Sequence, residues 1–304
     1  MHLFRLAAGL DRGDLMRLLL DHDASKDAVT VELLRALLET VANLGHEGVL
    51  RHLLQHRLTN ILLTYAFFRK LAHIAGTCGH LSVLRCLLLH RRRTVVGWNT
   101  GMTPFIYSVL QVAAPLGHAT IVRMLLLVVR VEPTAPLTPA ELGRLVQVTA
   151  PHGHTDVVEL LLHCGADPDR RTLGTPMSAL SGATLGGHIG VVKALLRYNV
   201  SPETRHPDQP KPLPLAASRG HLNIVQLLLE NGAEIEAEAW GHTALVCAVE
   251  NGHTEVVRRL LQWGALTNVQ NANGRTLFEI AQARRDDTIL NLISDRVAGR
   301  LDPF

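Results

Sequence analysis

The sequence is poor in aromatic residues and contains no long apolar run. Phe, Trp and Tyr make up only 4% of a chain that is 47% hydrophobic, so Leu, Ala and Val must form most of the core. The longest purely apolar run, 124–129, lies between Arg123 and Arg130 and is far shorter than the roughly 20 residues that cross a bilayer. We therefore expect a soluble protein without a helical membrane span.

Cysteine is also scarce. Cys78, Cys86, Cys164 and Cys247 form no CxxC pair and show no metal-ligand spacing. This pattern predicts reduced thiols in a cytoplasmic or nuclear protein. Residues 1–13 carry charged side chains within any apolar stretch, so we expect no secretory signal there.

Motifs for nucleotide binding and catalysis are absent as well. No segment matches GxxxxGK[ST], a strand-led GxGxxG or a GxSxG nucleophile elbow. The densest group of possible zinc ligands is His152, His154, His163 and Cys164, but a full predicted helix separates His154 from His163 and Cys164. We therefore predict no catalytic residue, no cofactor and no metal site, and a protein that is not an enzyme.

A Gly-His pair recurs along the chain at an almost constant interval. Successive copies lie 34, 38, 36, 34, 33 and 32 residues apart. Their glycines are Gly45, Gly79, Gly117, Gly153, Gly187, Gly220 and Gly252. A period of this size is typical of proteins in which one supersecondary unit is copied and stacked. The chain is therefore predicted to form a repeat array with one continuous core.

The clearest unit, 241–265, predicts two helices joined by a tight turn. Glycine suits the turn at Gly252 because the residue after a helix often has a positive φ, which costs other residues roughly 1 kcal/mol. Apolar residues recur at helical spacing on both sides of that turn: Leu245, Ala248 and Val249 before it, and Val256, Val257, Leu260 and Leu261 after it.

Thr-Pro pairs mark further helix starts. Thr103, Thr138 and Thr175 are predicted N-caps, each with proline at the first helical position. Thr103 and Thr138 precede their turn glycines by 14 and 15 residues, whereas Thr243 precedes Gly252 by nine. We therefore expect longer first helices in the fourth and fifth units. The second and third units lack the G-x-T-P element and are expected to have long first helices with blunted loops.

The repeated pattern resembles the ankyrin repeat. G-x-T-P-L at the first helix, A-A-x-x-G-H at the turn and V-V-x-x-L-L along the second helix are best seen at 214–229, with further good matches at 154–167. The resemblance covers nearly the whole chain and implies an all-α solenoid of stacked helix-turn-helix units with short hairpin finger loops. It predicts about nine repeats in a single domain, 1–304, with atypical caps at about 1–24 and 269–304.

The resemblance also implies a function. Ankyrin-like arrays act as non-catalytic scaffolds or adaptors that bind a protein or peptide through a concave surface of finger loops and first helices. Contacts generally come from finger tips and from the residues before Gly-His. In this chain those positions are Asn99, Thr100, Met102, Leu116, His152, Arg219, Trp240, His242, Glu250, Asn251, Asn273 and Arg275. We expect a monomer in the absence of its partner.

Trp240 is the strongest candidate contact, because tryptophan is enriched among residues that dominate interface energetics. The alternative is that its side chain folds back over its own hairpin.

The charge distribution leaves a second interpretation of function open. Residues 1–130 contain 15 Lys+Arg and 8 Asp+Glu, whereas residues 131–304 contain 15 and 19. The densest basic run, Arg91-Arg92-Arg93, could bind phosphates of nucleic acid or another acidic surface. Arginines also suit the negative end of a helix dipole, and only Trp98 could provide a nearby aromatic platform. Nucleic-acid binding is therefore the alternative to protein binding.

Overall fold

The computed structural model describes residues 2–22, 29–94, 102–131, 136–169, 177–204 and 209–300, except for the side chains of 60, 91–94 and 131. The chain divides into two compact units, Met1–Leu137 (unit 1) and Thr138–Phe304 (unit 2). The expectation of a single domain over 1–304 stays a prediction.

Unit 1 contains four helical hairpins and a short connecting helix. The hairpins are α1 (His2–Gly9) with α2 (Gly13–Asp21), α3 (Val31–Leu44) with α4 (Glu47–Gln55), α6 (Tyr65–Cys78) with α7 (Leu81–Thr94), and α8 (Met102–Ala113) with α9 (Ala119–Val131), and the connecting helix is α5 (Thr59–Leu62). First helices pack on first helices, in the order α1, α3, α6 and α8, and second helices α2, α4 and α7 do the same.

Unit 2 contains five hairpins. They are α10 (Pro139–Thr149) with α11 (Thr155–His163), α12 (Ala179–Leu185) with α13 (Ile189–Arg197), α14 (Pro212–Ser218) with α15 (Leu222–Glu230), α16 (Ala244–Asn251) with α17 (Thr254–Gln262), and α18 (Leu277–Arg284) with α19 (Asp287–Val297). Two short strands, β1 (Glu238–Ala239) and β2 (His242–Thr243), precede α16. The described residues thus contain nine hairpins, which confirms the predicted all-α repeat fold.

The Gly-His turns join neighbouring hairpins. Gly45 ends α3 in the left-handed conformation with φ 81°, and the ring of His80 from the next hairpin lies over it, where a Cβ atom would be 2.5 Å from Nδ1. His80 Nε2 donates to the carbonyl oxygen of Asn43 at 2.9 Å. His188 makes the same contact with the turn at Gly153, donating to Pro151 O at 2.9 Å. The turn histidines therefore connect successive hairpins.

First-helix lengths follow the sequence prediction. Helices α3 and α6 contain 14 residues each, α8 contains 12 and α10 contains 11, whereas α16 contains eight. Thr138 caps α10 as predicted, since its hydroxyl accepts from Glu141 N while the Glu141 carboxylate accepts from Thr138 N. Thr276 and Glu279 form the same capping box at α18.

Two predicted helix starts are wrong. Helix α8 begins at Met102, so Thr103 lies inside its first turn and is not the N-cap. Pro104 is tolerated there because the first four N–H groups of a helix have no intrahelical partner. Helix α12 begins at Ala179 and is capped by Ser178, which accepts from Ser181 N. Thr175, predicted as that cap, lies outside the described residues.

The last hairpin replaces the Gly-His turn with different residues. Arg285 takes the place of the glycine, with φ 56°, and the carboxylate of Asp286 caps α19 by accepting from Ile289 N at 3.1 Å. The guanidinium of Arg284 packs over Gly252 and donates to Glu250 O at 2.6 Å. Arg284 thus substitutes for the turn histidine of the preceding repeats.

Candidate partner-binding surface

The finger of the eighth repeat is a small antiparallel hairpin with an exposed tryptophan at its tip. Glu238 pairs with Thr243 and Ala239 pairs with His242. The two turn residues, Trp240 and Gly241, have φ values of 54° and 76°. Two successive positive φ values are the mark of a type I′ turn, for which Asn-Gly is the preferred sequence. Trp240 is 70% exposed, so its side chain does not fold back over the hairpin.

Glu250 ties this finger to the next one. Its Oε2 atom lies 3.3 Å from Nδ1 of His242 in β2. Its Oε1 atom accepts from Nδ2 of Asn271 at 2.8 Å. Glu250 therefore lies between the two fingers, hydrogen-bonded to Asn271 and close to the His242 ring.

Asn271 in turn organises the finger of the ninth repeat. Its side-chain Oδ1 accepts from the backbone N–H groups of Asn273 and Arg275, both at 3.0 Å. Its own N–H donates to Arg275 O at 3.0 Å, and Gly274 has φ 73° within the loop. Because Asn271 is buried, it fixes the loop while Asn273 and Arg275 remain exposed. Asn271 is not among the contact residues predicted from the sequence, although Asn271 followed by Asn273-Gly274 is a recognisable Asx-turn signal.

The structure groups some predicted contact residues and separates others. The eighth and ninth repeats bring together Trp240, His242, Glu250, Asn251, Asn273 and Arg275. Arg219 is exposed and directly precedes the turn Gly220 of the adjacent hairpin. His152 is exposed in the first hairpin of unit 2, and Leu116 is exposed in unit 1.

One predicted contact residue does not fit a surface role. Met102 is only 7% exposed and forms the first residue of α8, so its side chain belongs to the core of unit 1. The prediction for Met102 is wrong because helix α8 already includes this residue, so the finger does not extend to it. Asn99 and Thr100 lie outside the described residues.

The histidines considered as zinc ligands make backbone contacts. His152 Nδ1 donates to Val148 O at 3.0 Å, and the His152 and His154 rings are stacked with centroids 6.5 Å apart. His163 Nδ1 donates to Glu159 O at 2.7 Å, at the opposite end of α11. Within the described part of the chain, no three His, Cys, Asp or Glu side chains are grouped to hold a metal ion.

The basic run considered for nucleic-acid binding lies at the end of α7, and the side chains of Arg91, Arg92 and Arg93 fall outside the described part of the chain. Trp98 also lies outside the described residues. Arg69 and Arg85 are exposed in α6 and α7.

Comparison with known proteins identifies the repeat type. Residues 146–239 match a model for three copies of ankyrin repeats, and residues 240–272 match a model for one ankyrin repeat. Residues 146–272 of this chain are ankyrin repeats. Ankyrin repeats serve in general as protein–protein interaction scaffolds, and related repeats are typically non-catalytic. None of the described helices has both the length and the hydropathy needed to cross a membrane.

The similar proteins are larger and diverse. The chain is 36% identical over 107 residues to Ankyrin repeat and KH domain-containing protein mask-1 of Caenorhabditis elegans, which is 34% of this chain and 4% of that protein. It is 44% identical over 72 residues to Probable E3 ubiquitin-protein ligase XBOS33 of Oryza sativa subsp. japonica, 23% of this chain and 14% of that protein. It is 32% identical over 104 residues to Ankyrin repeat and SOCS box protein 11 of Mus musculus, which is 34% of this chain and 32% of that protein. The chain thus matches only a small part of each relative's length.

Proposed function

We propose that unit 2 is a non-catalytic adaptor module that binds a protein or peptide through the fingers and first helices of its last repeats. The observation that carries this proposal is the exposure of Trp240 at the tip of the β1–β2 hairpin. An exposed tryptophan contributes little to the stability of its own repeat, but it provides a large apolar surface for a partner to cover.

The backbone of Trp240 supports a functional role. A bulky residue with a positive φ is uncommon, because its Cβ atom lies close to the following carbonyl oxygen. Such conformations persist when the surrounding structure fixes them, and they are concentrated at functional sites. Here the antiparallel pairing of Glu238 with Thr243 and of Ala239 with His242 fixes the turn.

The surroundings of Trp240 suit a contact site of moderate affinity. Polar side chains of Glu238, Asn251, Asn273 and Arg275 are exposed on the same two repeats. A polar rim of this kind excludes water from a central aromatic contact once a partner has bound. Because the β1–β2 pairing holds the first finger and the hydrogen bonds of Asn271 hold the second, a partner would lose less free energy in ordering them.

The proposal is tested by selecting peptides that bind the full 304-residue chain from a displayed proteome library and measuring their affinities by calorimetry. For Trp240→Ala we expect a loss of about 2 kcal/mol, which is roughly a 30-fold weaker dissociation constant. Leu127→Ala is the matched control, since Leu127 is exposed on the second helix α9 and far in sequence from the fingers. Equal affinities of the parent and Trp240→Ala for every selected peptide would contradict the proposal.

We also propose that the protein acts in the cytoplasm or nucleus. All four cysteines are free, with Cys78 and Cys164 exposed and Cys247 buried. Burial raises the pKa of the Cys247 thiol to about 12, so this thiol stays protonated and unreactive in the folded protein. Exposed free thiols suit a reducing compartment. Localisation of the tagged full chain by fractionation tests this point, and recovery from a secretory compartment would contradict it.

A further inference from the structure

The exposed side of two first helices in unit 1 carries arginine at a repeated position. Arg35 of α3 is the tenth residue before the turn glycine Gly45, and Arg69 of α6 is the tenth residue before Gly79. Both arginines are exposed, and α3 packs directly on α6. The two side chains therefore start from equivalent sites on neighbouring helices.

Neither arginine has a neutralising partner among the described residues. No carboxylate there lies within ion-pair distance of either guanidinium. The carboxylate of Glu39, which follows Arg35 by one turn, instead contacts Lys70 of α6, with Oε1 2.6 Å from Nζ. The Arg35 guanidinium lies over the ring of Phe67 in α6, 5.4 Å from its centroid. This aromatic contact positions Arg35 and leaves its N–H donors available to a ligand.

Arg69 borders an open cavity on the exposed face of α6. The cavity has a volume of about 460 Å³ and is lined by Tyr65, Ala66, Arg69, Lys70 and His73. Nε2 of His73 donates to Ser108 Oγ at 3.0 Å, because the Ser108 hydroxyl itself donates to Phe105 O. Burial and, second, the positive charge of Arg69 lower the pKa of the His73 imidazole. His73 is therefore mainly uncharged at neutral pH, and Arg69 provides the unpaired positive charge of this cavity.

The segment that contains α6 and α8 has no acidic side chain. Residues 48–131 contain ten Lys and Arg and no Asp or Glu. Both helices that border the cavity, α6 and α8, lie within this segment. A ligand on this face therefore meets an excess of positive charge, and charge complementarity favours an acidic ligand.

The distance between the two helices restricts the shape of that ligand. Packed helices lie about 8 to 10 Å apart, so groups that bind equivalent sites on α3 and α6 must be separated by a similar distance. A peptide in the polyproline II conformation rises about 3.1 Å per residue and turns once in three residues, so side chains at i and i+3 lie on one side, about 9 Å apart. In a β-strand, residues three apart point to opposite sides.

We propose that Arg35 and Arg69 bind an acidic peptide in the polyproline II conformation, with carboxylates at positions i and i+3. Each guanidinium donates two hydrogen bonds to one of these carboxylates. The peptide crosses the exposed side of α3 and α6, over the cavity beside Arg69. This site lies in unit 1 and does not rest on the proposed function, which uses Trp240 and the fingers of unit 2.

An exposed carboxylate on α3 favours a peptide over nucleic acid as the occupant. Glu32 is exposed three residues before Arg35, and residues with this spacing are neighbours on the helix surface. A nucleic-acid strand carries a phosphate at every nucleotide, so it would bring negative charge against Glu32 as well as to the arginines. A peptide can place its acidic residues opposite Arg35 and Arg69 alone.

The test is fluorescence anisotropy of labelled synthetic peptides titrated with the full 304-residue chain. The probe is a proline-rich peptide with two glutamates three residues apart, in the order Glu-Pro-Pro-Glu. The control peptide has the same composition in the order Glu-Pro-Glu-Pro. We expect the probe to bind at least about fivefold more tightly, because only its two carboxylates lie on one side of the peptide.

Substitutions in the chain test the two arginines separately. Arg35→Gln and Arg69→Gln should each weaken binding of the probe roughly tenfold, since each removes a charged bidentate contact. Arg123→Gln is the matched control, because it removes the same charge from an exposed site on the second helix α9 and should bind like the parent. Arg69→Glu should lose the probe and prefer a peptide in which lysine replaces one glutamate. Circular dichroism must show that each variant retains the helical content of the parent.

Several results would overturn this assignment. One is the absence of saturable probe binding up to about 1 mM. Equal affinities for the two peptides, or equal losses in Arg69→Gln and Arg123→Gln, would show that binding depends on net charge alone. Displacement of the probe by a short oligothymidylate at a lower concentration than by unlabelled probe would assign the site to nucleic acid. None of these results affects the Trp240 finger, so the two proposals can fail separately.

Discussion

The imidazole of His253 lies directly over Gly220 of the preceding hairpin. A Cβ atom on Gly220 would be 2.6 Å from His253 Nδ1, and Nε2 of the same ring donates to Ser218 O at 3.0 Å. Gly220 is therefore required twice, once for its φ of 72° and once for the space that the ring occupies. The Gly-His pair is thus partly an interaction between repeats: the glycine of one turn accommodates the histidine of the next.

This relationship predicts that Gly220→Ala destabilises the protein more than Gly232→Ala. Both glycines have a positive φ, but nothing lies within 4 Å of a Cβ atom on Gly232. Gly232→Ala should cost about 1 kcal/mol for the left-handed backbone, whereas Gly220→Ala should cost a further ~1 to 3 kcal/mol for the steric conflict with the ring. Urea unfolding measures both.

A double-mutant cycle with His253→Ala identifies the cause of that difference. Removing the ring should lower the cost of Gly220→Ala to that of Gly232→Ala, because only the backbone term is then left. Equal losses for the two single glycine variants would show that the ring moves away without cost.

The strained turn at Trp240 predicts opposite effects on stability and on binding. Trp240→Asn creates the Asn-Gly sequence that type I′ turns prefer, so the free energy of unfolding should rise by roughly 1 kcal/mol. Binding of peptides selected by the parent should weaken as much as in Trp240→Ala. Thermal unfolding and calorimetry measure the two effects. A lower melting temperature for Trp240→Asn would mean instead that the indole packs on its own finger and stabilises it.

Close packing of α14 predicts that Ala217→Leu destabilises unit 2. Ala217 is fully buried where α14 packs on α16, and overpacking such a site typically costs ~1 to 3 kcal/mol. Asn223→Leu introduces the same side chain at an exposed site of α15 and should change stability by less than about 0.5 kcal/mol. If both variants melt like the parent, α14 has space at this contact that the structure does not show.

The carboxylate cap of α19 predicts a loss of stability in acid. The hydroxyl of Thr288 and the backbone N–H of Ile289 donate to Asp286 and lower the pKa of its carboxyl below the ordinary 3.8. A lowered folded-state pKa means that this contribution is fully present above the unfolded pKa and is lost as the pH falls through the folded one.

Asp286→Asn tests this linkage, because asparagine is an equally good N-cap but does not titrate. The parent should therefore lose stability relative to Asp286→Asn as the pH is lowered from 7 to below 3.8. Thr288→Val removes the largest cause of the lowered pKa and should make the acid dependence smaller. Urea unfolding at a series of pH values provides the measurement. Parallel curves for the parent and Asp286→Asn would exclude this role of the carboxylate.

Local features of the chain were predictable from the sequence. The Gly-His period predicted the turns of seven of the nine described hairpins, and the Thr138 and Glu141 pair marked the start of α10, because turn geometry and capping depend on residues a few positions apart. Local signals were insufficient where a helix start lay inside an irregular repeat. Both α8 and α12 begin away from the Thr-Pro sites that predicted them.

Contacts between repeats required the tertiary structure. Asn271 organises a finger by bonding to residues on both sides of its loop and to Glu250 of the previous repeat. Arg284 reaches the preceding turn although it lies two residues before Asp286, which occupies the histidine position of the other repeats. Neither role follows from spacing alone, because a flexible side chain can reach several partners.

The sequence by itself determined which segments form helices, where they turn and which residues of each helix are apolar, since periodicity and turn chemistry act within one hairpin. The tertiary structure decided which apolar positions are covered. Leu3 and Leu37 occupy equivalent sites in successive hairpins, yet Leu37 is buried and Leu3 is exposed. The physical reason is that burial in a repeat array depends on the neighbouring hairpin, and no described hairpin precedes the first one in unit 1.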